Sequence, residues 1–263
     1  MNSDPRPTMW WHVNADLDPT GAEWYDQIET GTDDIDCIRR MIGDRGPLRI
    51  LEPFCGTGRI LIPLARDGHT LVGMDISGGM LTRAEAKVAH LPSDMQTRID
   101  LLRADVTECR WPKDFDVVIM GGNWPYVLSS PEQQERCIAS AAASLKPGGF
   151  LFHDSDHMEG NLAESWQKPG VTEGRPWTSA GGMHFEGTSE TIWFDAKARL
   201  HEARRCTVAT FPDGHQEETV TIIRKHPVSR DEVRGWIEKH GFAIEWANET
   251  DGRITYWARK LSR

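Results

Sequence analysis

Two glycines with the spacing of a ligand-binding loop stand between two short apolar runs. They are Gly56 and Gly58, in the segment "LRILEPFCGTGRILIPLARDGHTLVGMD" that covers residues 48–75. A Gly-x-Gly between a strand and a helix lets the backbone approach a ligand closely, and the helix N-terminus offers free N–H donors. The second run ends in Asp75, where an acid suits the hydroxyls of a ribose. These residues predict a nucleotide-type cofactor.

Two further residues argue against a dinucleotide. Leu61 occupies the position of the third glycine in a G-x-G-x-x-G loop, and Glu52 ends the first apolar run just ahead of the loop. A carboxylate at Glu52 would repel a pyrophosphate and attract an ammonium group. The loop therefore favours S-adenosylmethionine, which carries an ammonium group, a ribose and an adenine but no phosphate.

The elements that must position this loop alternate between apolar strands and amphipathic helices. Uniformly apolar strands, each followed by a helix, indicate a parallel sheet covered on both faces, and hence an α/β fold. The predicted strands are "LRILEPF", "TLVGMD", "IDLLRAD", "FDVVIMG" and "GFLFHD".

The pattern changes between residues 155 and 227. A Gly-rich and polar stretch leads into β-rich segments on either side of "PDG", which predicts an antiparallel lobe inserted into the α/β core. The core resumes with a helix capped by Ser229 and ends in a hairpin of "FAIEWANE" and "RITYWARK". We expect residues 1–154 and 228–263 to form the cofactor-binding core, and residues 155–227 to form a lobe that covers the substrate.

Five motifs in this order resemble those of the class I S-adenosylmethionine-dependent methyltransferases. They are "LEPFCGTGR", "VGMDIS", "RADVTE", "FDVVIMGGNWPYVL" and "LKPGGFLF". The resemblance covers roughly residues 45–155 and resumes from residue 229. It implies a Rossmann-like sheet of seven strands, mostly parallel, with an antiparallel C-terminal hairpin. It also implies S-adenosyl-L-methionine as cofactor.

The resemblance assigns a role to each motif residue. The glycine loop would face the methionine moiety, Asp75 the ribose, Ile76 and Met80 the adenine, and Asp105 with the Val106 amide its polar edge. The segment from Gly121 to Trp124 would border the sulfonium. For Asp75 and Asp105 the alternative is ordinary polarity at a strand end. The expected cofactor-binding residues are Glu52, Gly56, Thr57, Gly58, Asp75, Ile76, Met80, Asp105, Val106, Gly121, Asn123, Trp124 and Tyr25.

Tyr25 joins that set through a local resemblance. Trp24 and Tyr25 in "AEWYDQ" resemble the aromatic N-terminal segment that closes over the cofactor in many small-molecule methyltransferases. A helix that packs its aromatic side chains on the core is the alternative.

The acceptor is harder to predict. The segment from Gly121 onward is similar to the glycine and sarcosine N-methyltransferases, which also carry an antiparallel insertion, and in outline to sugar-amine N-methyltransferases. Those glycine methylases follow their fifth strand with an acid and His-Arg-Asn, whereas this chain has Asp154, Ser155, Asp156 and His157. The reversed charge makes a simple amino acid doubtful and favours a neutral or cationic acceptor.

The residues after the fifth predicted strand are the candidates for proton transfer. His157 or Asp156 could take a proton from an amine or orient its free base, and we name Asp154 with them. Along an extended segment Asp154 and Asp156 share one face and His157 lies on the other, so part of the cluster could simply be solvated or buried. For the same reason the cluster makes a poor metal polyhedron, and we expect no metal.

Composition narrows the function class. The net charge of −10 without a basic cluster disfavours nucleic acids and membrane surfaces as partners. Five cysteines, none spaced as C-x-x-C, disfavour a disulfide framework. We expect a cytoplasmic small-molecule methyltransferase, acting on nitrogen rather than oxygen. An O-methyltransferase of natural-product metabolism and a non-catalytic S-adenosylmethionine-binding module stay open, as does a homodimer.

Overall fold

The computed structural model describes residues 22, 25–26, 29–159, 170–173, 176–178 and 182–262. Its first sheet is built from seven strands, and the described residues include six helices that precede, connect or follow these strands in the chain. The strands are β1 (Arg49–Glu52), β2 (Thr70–Asp75), β3 (Ile99–Arg103), β4 (Phe115–Met120), β5 (Leu145–Asp156), β11 (Phe242–Glu249) and β12 (Arg253–Lys260). The helices are α1 (Asp33–Ile42), α2 (Leu61–Arg66), α3 (Gly78–Ala89), α4 (Ser93–Gln96), α5 (Pro131–Ser144) and α6 (Arg230–Lys239).

The strand order of this sheet is β11-β12-β5-β4-β1-β2-β3. Strands β1 to β5 run parallel to their neighbours, and β12 pairs antiparallel with both β5 and β11. The predicted seven-stranded sheet with its antiparallel hairpin is confirmed. Because the order reverses between β1 and β4, a crevice is expected beyond the carboxyl ends of these two strands.

Both faces of the sheet are covered, as uniformly apolar strands require. In β4 the side chains of Val118 and Met120 belong to one buried apolar cluster, whereas those of Val117 and Ile119 belong to another. Successive strand residues point to opposite faces. The motif strands are therefore rigid supports for the loops at their carboxyl ends.

A second, antiparallel sheet lies between β5 and α6 in the chain. It contains β6 (Val171–Glu173), β7 (Trp177–Thr178), β8 (His184–Asp195), β9 (Leu200–Thr210) and β10 (Gln216–Lys225). Strands β8, β9 and β10 pair in sequence order, and "PDG" lies in the turn between β9 and β10. The strand β5 continues through Asp156, two residues beyond the predicted end of the core at residue 154.

The chain leaves the first sheet near Met158 and returns to it near Val228. The amide of Met158 donates to the carbonyl of Val228 at 2.9 Å, so the two connections between the sheets, here called crossings, are hydrogen-bonded to each other. Arg199, in the turn between β8 and β9, donates to the carbonyls of Met158 and Pro227. This side chain ties the second sheet to both crossings.

In the part of the chain that the structure describes, no helix is both long and apolar enough to cross a membrane.

Candidate active site

The predicted cofactor residues gather at the carboxyl ends of β1 to β4. Glu52 ends β1 and Asp75 ends β2, while Asp105 comes two residues after β3 and Gly121 directly follows β4. Parallel strands bring their carboxyl ends to one edge of a sheet, so residues up to 69 positions apart in the chain meet there.

The glycine loop adopts backbone conformations that favour glycine. Gly56 and Gly58 have φ of 53° and 78°, and a Cβ on Gly58 would lie 3.2 Å from the side chain of Ile62. The amide of Gly56 donates to Asp75 Oδ2 at 2.8 Å, and the amide of Ser77 donates to Asp75 Oδ1 at 2.9 Å. Burial raises the pKa of Asp75, and these amides oppose that rise. The carboxylate is thus held against the loop.

Two buried polar atoms beside this loop lack a partner among the described residues. They are Oε2 of Glu52 and Nε of Arg59. Burial raises the pKa of Glu52 well above its usual value, and the nearby Arg59 opposes that rise. The other guanidinium nitrogens of Arg59 bind Asp34, at 2.9 and 2.5 Å. An orphaned acceptor and an orphaned donor side by side fit the ammonium and carboxylate groups of an amino acid.

Tyr25 lies over the same edge of the sheet. Its hydroxyl is hydrogen-bonded to Arg59, burial raises its pKa, and a Cβ on Gly122 would lie 4.0 Å from its oxygen. The next residue, Asp26, accepts from Thr57 Oγ1 and Lys87 Nζ, each at 2.6 Å. The Thr57 hydroxyl therefore holds the N-terminal segment in place. Trp24 lies outside the described residues.

The residues predicted for the adenine lie along one side of the site. Asp105 Oδ1 accepts from the amide of Thr107 at 2.8 Å and from its hydroxyl at 2.7 Å. Ile76 and Met80 are half-buried, whereas Val106 is buried in the core. This geometry allows contacts with an adenine, and the four assignments stay predictions.

Asn123 links the loop after β4 to the end of β5. It has a left-handed φ of 61° and precedes a 3-10 helix, Trp124–Val127. Its side chain donates to Asp156 Oδ2 at 2.9 Å and accepts from the Asp156 amide at 2.6 Å. Asn tolerates this conformation, so the residue fixes both the turn after Gly121 and the position of Asp156.

The indole of Trp124 points into the core rather than toward open space. It is 1% exposed, stacks on Phe54 at 5.5 Å, and donates from Nε1 to His153 Nδ1 at 3.1 Å. The other ring nitrogen of His153 then donates to Ser155 Oγ at 3.1 Å. Burial lowers the pKa of His153 to about 3. The indole of Trp124 is therefore part of the core, and the prediction that the segment from Gly121 to Trp124 borders the sulfonium applies to the backbone at Trp124.

The two candidate carboxylates after β5 differ in accessibility. The side chain of Asp154 is 3% exposed and that of Asp156 is 51% exposed. Asp154 accepts from Arg253 Nε at 3.0 Å and from Thr255 Oγ1 at 2.8 Å. Asp156 accepts from Arg253 Nη1 at 3.1 Å on one oxygen and from Asn123 on the other. The structure therefore places Asp156 where a ligand can reach it, and Asp154 inside the sheet.

His157 is placed as a link between strands. Its side chain is 1% exposed, with Nδ1 at 2.8 Å from Glu159 Oε1, and Nε2 donates to the carbonyl of Thr250 at 2.8 Å. Both ring nitrogens thus face protein atoms. The predicted acid–base role of His157 stays a prediction, and the geometry favours a structural role.

Sequence reasoning missed two cations of the site. Arg59 is the last residue of the motif "LEPFCGTGR", but no function was predicted for it. Its position directly after the second glycine could have indicated a contact with the ligand. Arg253 binds both Asp154 and Asp156. It lies 99 residues after Asp154, so no local pattern pointed to it.

Comparisons with known proteins agree with this arrangement. Residues 50–149 match the family model described as a methyltransferase domain. The Bacillus subtilis (strain 168) protein YqeM, which is named as a methyltransferase, is 32% identical over 184 residues, covering 65% of this chain and 70% of its own. A protein of Geobacillus sp. (strain WCH70), also named as a methyltransferase, is 23% identical over 258 residues, covering 91% and 98%.

Solved structures share the whole fold at low identity. A S-adenosylmethionine-dependent methyltransferase from Clostridium acetobutylicum has a TM-score of 0.71 at 15% identity, with 92% of this chain and 98% of that chain covered. The sugar N-methyltransferase KedS8 from Streptoalloteichus sp. has a TM-score of 0.69 at 16% identity, covering 91% and 92%. CalS10, an amino pentose methyltransferase from Micromonospora echinaspora solved with S-adenosylmethionine bound, has a TM-score of 0.64 at 18% identity, covering 99% and 100%.

Proposed function

This chain belongs to the S-adenosylmethionine-dependent methyltransferases, and from that membership we propose that it methylates a nitrogen atom of a small molecule. The observation that carries the proposal is the accessible carboxylate of Asp156, held by Asn123 at the end of the loop after β4. A carboxylate at this position attracts and orients an amine.

The described residues fit the cofactor, S-adenosyl-L-methionine. When bound, it supplies an electrophilic methyl group on a sulfonium. We propose that Glu52 Oε2 accepts from its ammonium group and that Arg59 Nε donates to its carboxylate, because these are the two orphaned buried atoms at the loop. Asp75 would bind the ribose, and Asp105, Ile76 and Met80 would surround the adenine. Tyr25 would close the site.

Asp156 orients the acceptor in this proposal. A neutral amine donates an N–H to the carboxylate and directs its lone pair at the methyl carbon. As the N–C bond forms, the S–C bond breaks, and the proton left on the new ammonium passes to Asp156 or to water. Holding the two reactants in line can supply several kcal/mol, up to about 7–11, of the barrier.

The histidines near Asp156 support nitrogen over oxygen as the acceptor atom. An alcohol must lose its proton as it attacks and needs a stronger base than a carboxylate such as Asp156. His153 is fully buried and hydrogen-bonded, and both nitrogens of His157 face protein atoms. A neutral amine attacks without such a base. The sugar N-methyltransferase and the amino pentose methyltransferase among the similar structures favour the same choice.

A competition between matched acceptors tests the proposal. The protein is incubated with methyl-labelled S-adenosylmethionine and pairs of amines and alcohols on one carbon skeleton, with phenols and amino sugars added, and products are identified by mass spectrometry. We expect N-methyl products. Preferential O-methylation would contradict the choice of nitrogen, and tight cofactor binding without transfer to any acceptor would indicate a non-catalytic module.

Asp156→Asn tests the orienting role. We expect kcat/KM for the amine to fall at least tenfold while the Kd for S-adenosylmethionine stays within threefold. Asp100→Asn, an exposed residue on the edge strand β3, is the matched control. An unchanged kcat/KM in Asp156→Asn would overturn the role.

A further inference from the structure

A cavity of about 190 Å³ lies between the 3-10 helix after β4 and the second sheet. Tyr126, Val127 and Ser129 line it from the first side, and Arg205, Ile223, Arg224 and Lys225 line it from strands β9 and β10. Because the 3-10 helix directly follows Asn123, this cavity adjoins the loop predicted to border the sulfonium.

The strand register explains why two cations face the cavity. Arg205 pairs with Thr221, and Lys225 pairs with His201 four residues away along β9. Paired residues and residues two apart share a face of a sheet. Arg205 and Lys225 therefore point to one face, which we call the inner face.

By the same register the neighbouring arginines, Arg204 and Arg224, belong to the opposite face of the sheet, and both have anionic partners. Arg224 also borders the cavity, but its guanidinium is bound to Glu202. Arg204 Nη1 lies 3.2 Å from Glu190, and Arg224 Nη2 lies 2.8 Å from Glu202. The outer cations are thus neutralised within the sheet itself.

The inner cations have no such partner. Within the described ranges, no carboxylate forms an ion pair with Arg205 or Lys225. Desolvation lowers the pKa of both groups, and the charge of Arg205 lowers the pKa of Lys225 further. Two like charges at one cavity repel each other, and an anion bound between them would remove that repulsion.

We propose that this cavity binds an oxyanion, a carboxylate or a phosphate, carried by the methyl acceptor. The inference rests on the proposed function, because it takes the loop after β4 to border the transferred methyl group. The phenol of Tyr126 joins the two regions. It lines the cavity, its pKa is raised mainly by burial, and the Asp156 carboxylate is close enough to raise that pKa further.

The acceptor in this proposal is an amine that carries an acidic group. Its nitrogen lies near Asp156, and its oxyanion lies between Arg205 and Lys225. The acidic residues after β5 would therefore contact only the amine end of the acceptor. The acidic group of the acceptor would be bound by the second sheet.

Matched acceptors test the proposal kinetically. O-phosphoethanolamine, β-alanine and ethanolamine share a short aminoalkyl chain and carry a phosphate, a carboxylate or a neutral hydroxyl. We expect one of the two acids to exceed ethanolamine in kcat/KM by at least tenfold. Arg205→Ala and Lys225→Ala should each remove most of that preference and leave the rate with ethanolamine within twofold.

Arg204→Ala is the matched control. It removes the same side chain one position away, on the outer face, and should keep the preference. Equal kcat/KM for the acidic and neutral amines in the unaltered protein, or an equal loss of preference in Arg204→Ala, would overturn the proposal. A preference for phosphate over carboxylate, or the reverse, identifies the oxyanion.

A binding measurement separates the cavity from the methylation chemistry. The Tm is followed with inorganic phosphate or acetate, against chloride at equal ionic strength. We expect a saturable rise that Arg205→Ala and Lys225→Ala abolish and Arg204→Ala retains, even if none of the three amines is methylated. No saturable rise with either anion would overturn the oxyanion site, whether or not methyl transfer is found.

Discussion

Glu52 is a buried carboxyl group whose hydrogen-bonding capacity the protein leaves partly unused. One of its oxygens lacks a partner among the described residues, and its pKa is raised well above the usual value by burial. A buried carboxylate without a full set of partners destabilises the folded chain. Such a cost persists where a ligand repays it, which agrees with a role for Glu52 in binding the ammonium group of the cofactor.

Glu52→Gln should therefore raise stability and lower cofactor affinity together. A carboxyl group whose folded-state pKa is raised stabilises the fold below its unfolded pKa, and loses that effect as the pH rises through the folded value. At pH 7.5 the free energy of unfolding without ligand should be higher in Glu52→Gln, and the difference should shrink toward pH 4.5. Denaturant unfolding measures both values.

Calorimetry with S-adenosylmethionine completes the experiment on Glu52. We expect the Kd to rise at least tenfold in Glu52→Gln. Glu108→Gln, at an exposed side chain, should change neither stability nor affinity. If Glu52→Gln is more stable but binds S-adenosylmethionine with unchanged affinity, Glu52 destabilises the fold and takes no part in cofactor binding.

The residues of the site differ in how far local sequence could predict them. Glu52 and Asp75 could be predicted because each ends an apolar run beside the glycine loop. The partnership of Arg253 with Asp154 and Asp156 could not, because it depends on the register of β12 against β5. The inward direction of the Trp124 indole was also unpredictable, since its hydrogen bond to His153 joins the 3-10 helix after β4 to strand β5.

At the scale of elements, the Asp26 carboxylate anchors the N-terminal segment to the glycine loop and to helix α3. Asp26 accepts from Thr57, Lys87 and Arg83, at 2.6, 2.6 and 2.8 Å. Although burial acts to raise its pKa, these hydrogen bonds lower it. Tyr25, the neighbour of Asp26, lies over the site. The docking of this segment should therefore govern how long the cofactor stays bound.

Asp26→Ala should speed cofactor release. We expect the dissociation rate of S-adenosylmethionine to rise at least tenfold in stopped-flow measurements, with Asp36→Ala, an exposed partner of Arg39, as control. Folding lowers the pKa of Asp26, so its ionised carboxylate stabilises the folded protein at pH values above its unfolded-state pKa. This stabilisation is lost as the pH falls below about 4. An unchanged dissociation rate in Asp26→Ala would rule out a closing role for this segment.

The second sheet shows where prediction from sequence stops at the element scale. The strands on either side of "PDG" were predictable from their composition. Which of the adjacent residues Arg204 and Arg205 faces inward was not, because a shift of one residue in register exchanges the two faces. The cations that form ion pairs can be distinguished from those that do not only when the register of β9 against β10 is known.

At the scale of the whole molecule, the proposed reaction needs both sheets in a fixed relation. The cofactor residues lie on the first sheet, and the proposed oxyanion site lies on the second. Arg199 joins them through hydrogen bonds to the carbonyls of Met158 and Pro227. Weakening this connection should therefore impair the use of the acceptor more than the binding of the cofactor.

Arg199→Asn tests that coupling. Arg199 has a left-handed φ of 54°, which Asn tolerates, so the variant removes the long donor side chain with little change in backbone strain. We expect kcat/KM for the acceptor to fall about tenfold and the Kd for S-adenosylmethionine to stay within twofold. Hydrogen exchange should quicken in β8 to β10 and stay unchanged in β1 to β4, because only the second sheet loses its attachment. Lys197→Asn, at an exposed position in the same turn, is the control. If hydrogen exchange in the second sheet is unchanged in Arg199→Asn, the two sheets are held together by other contacts.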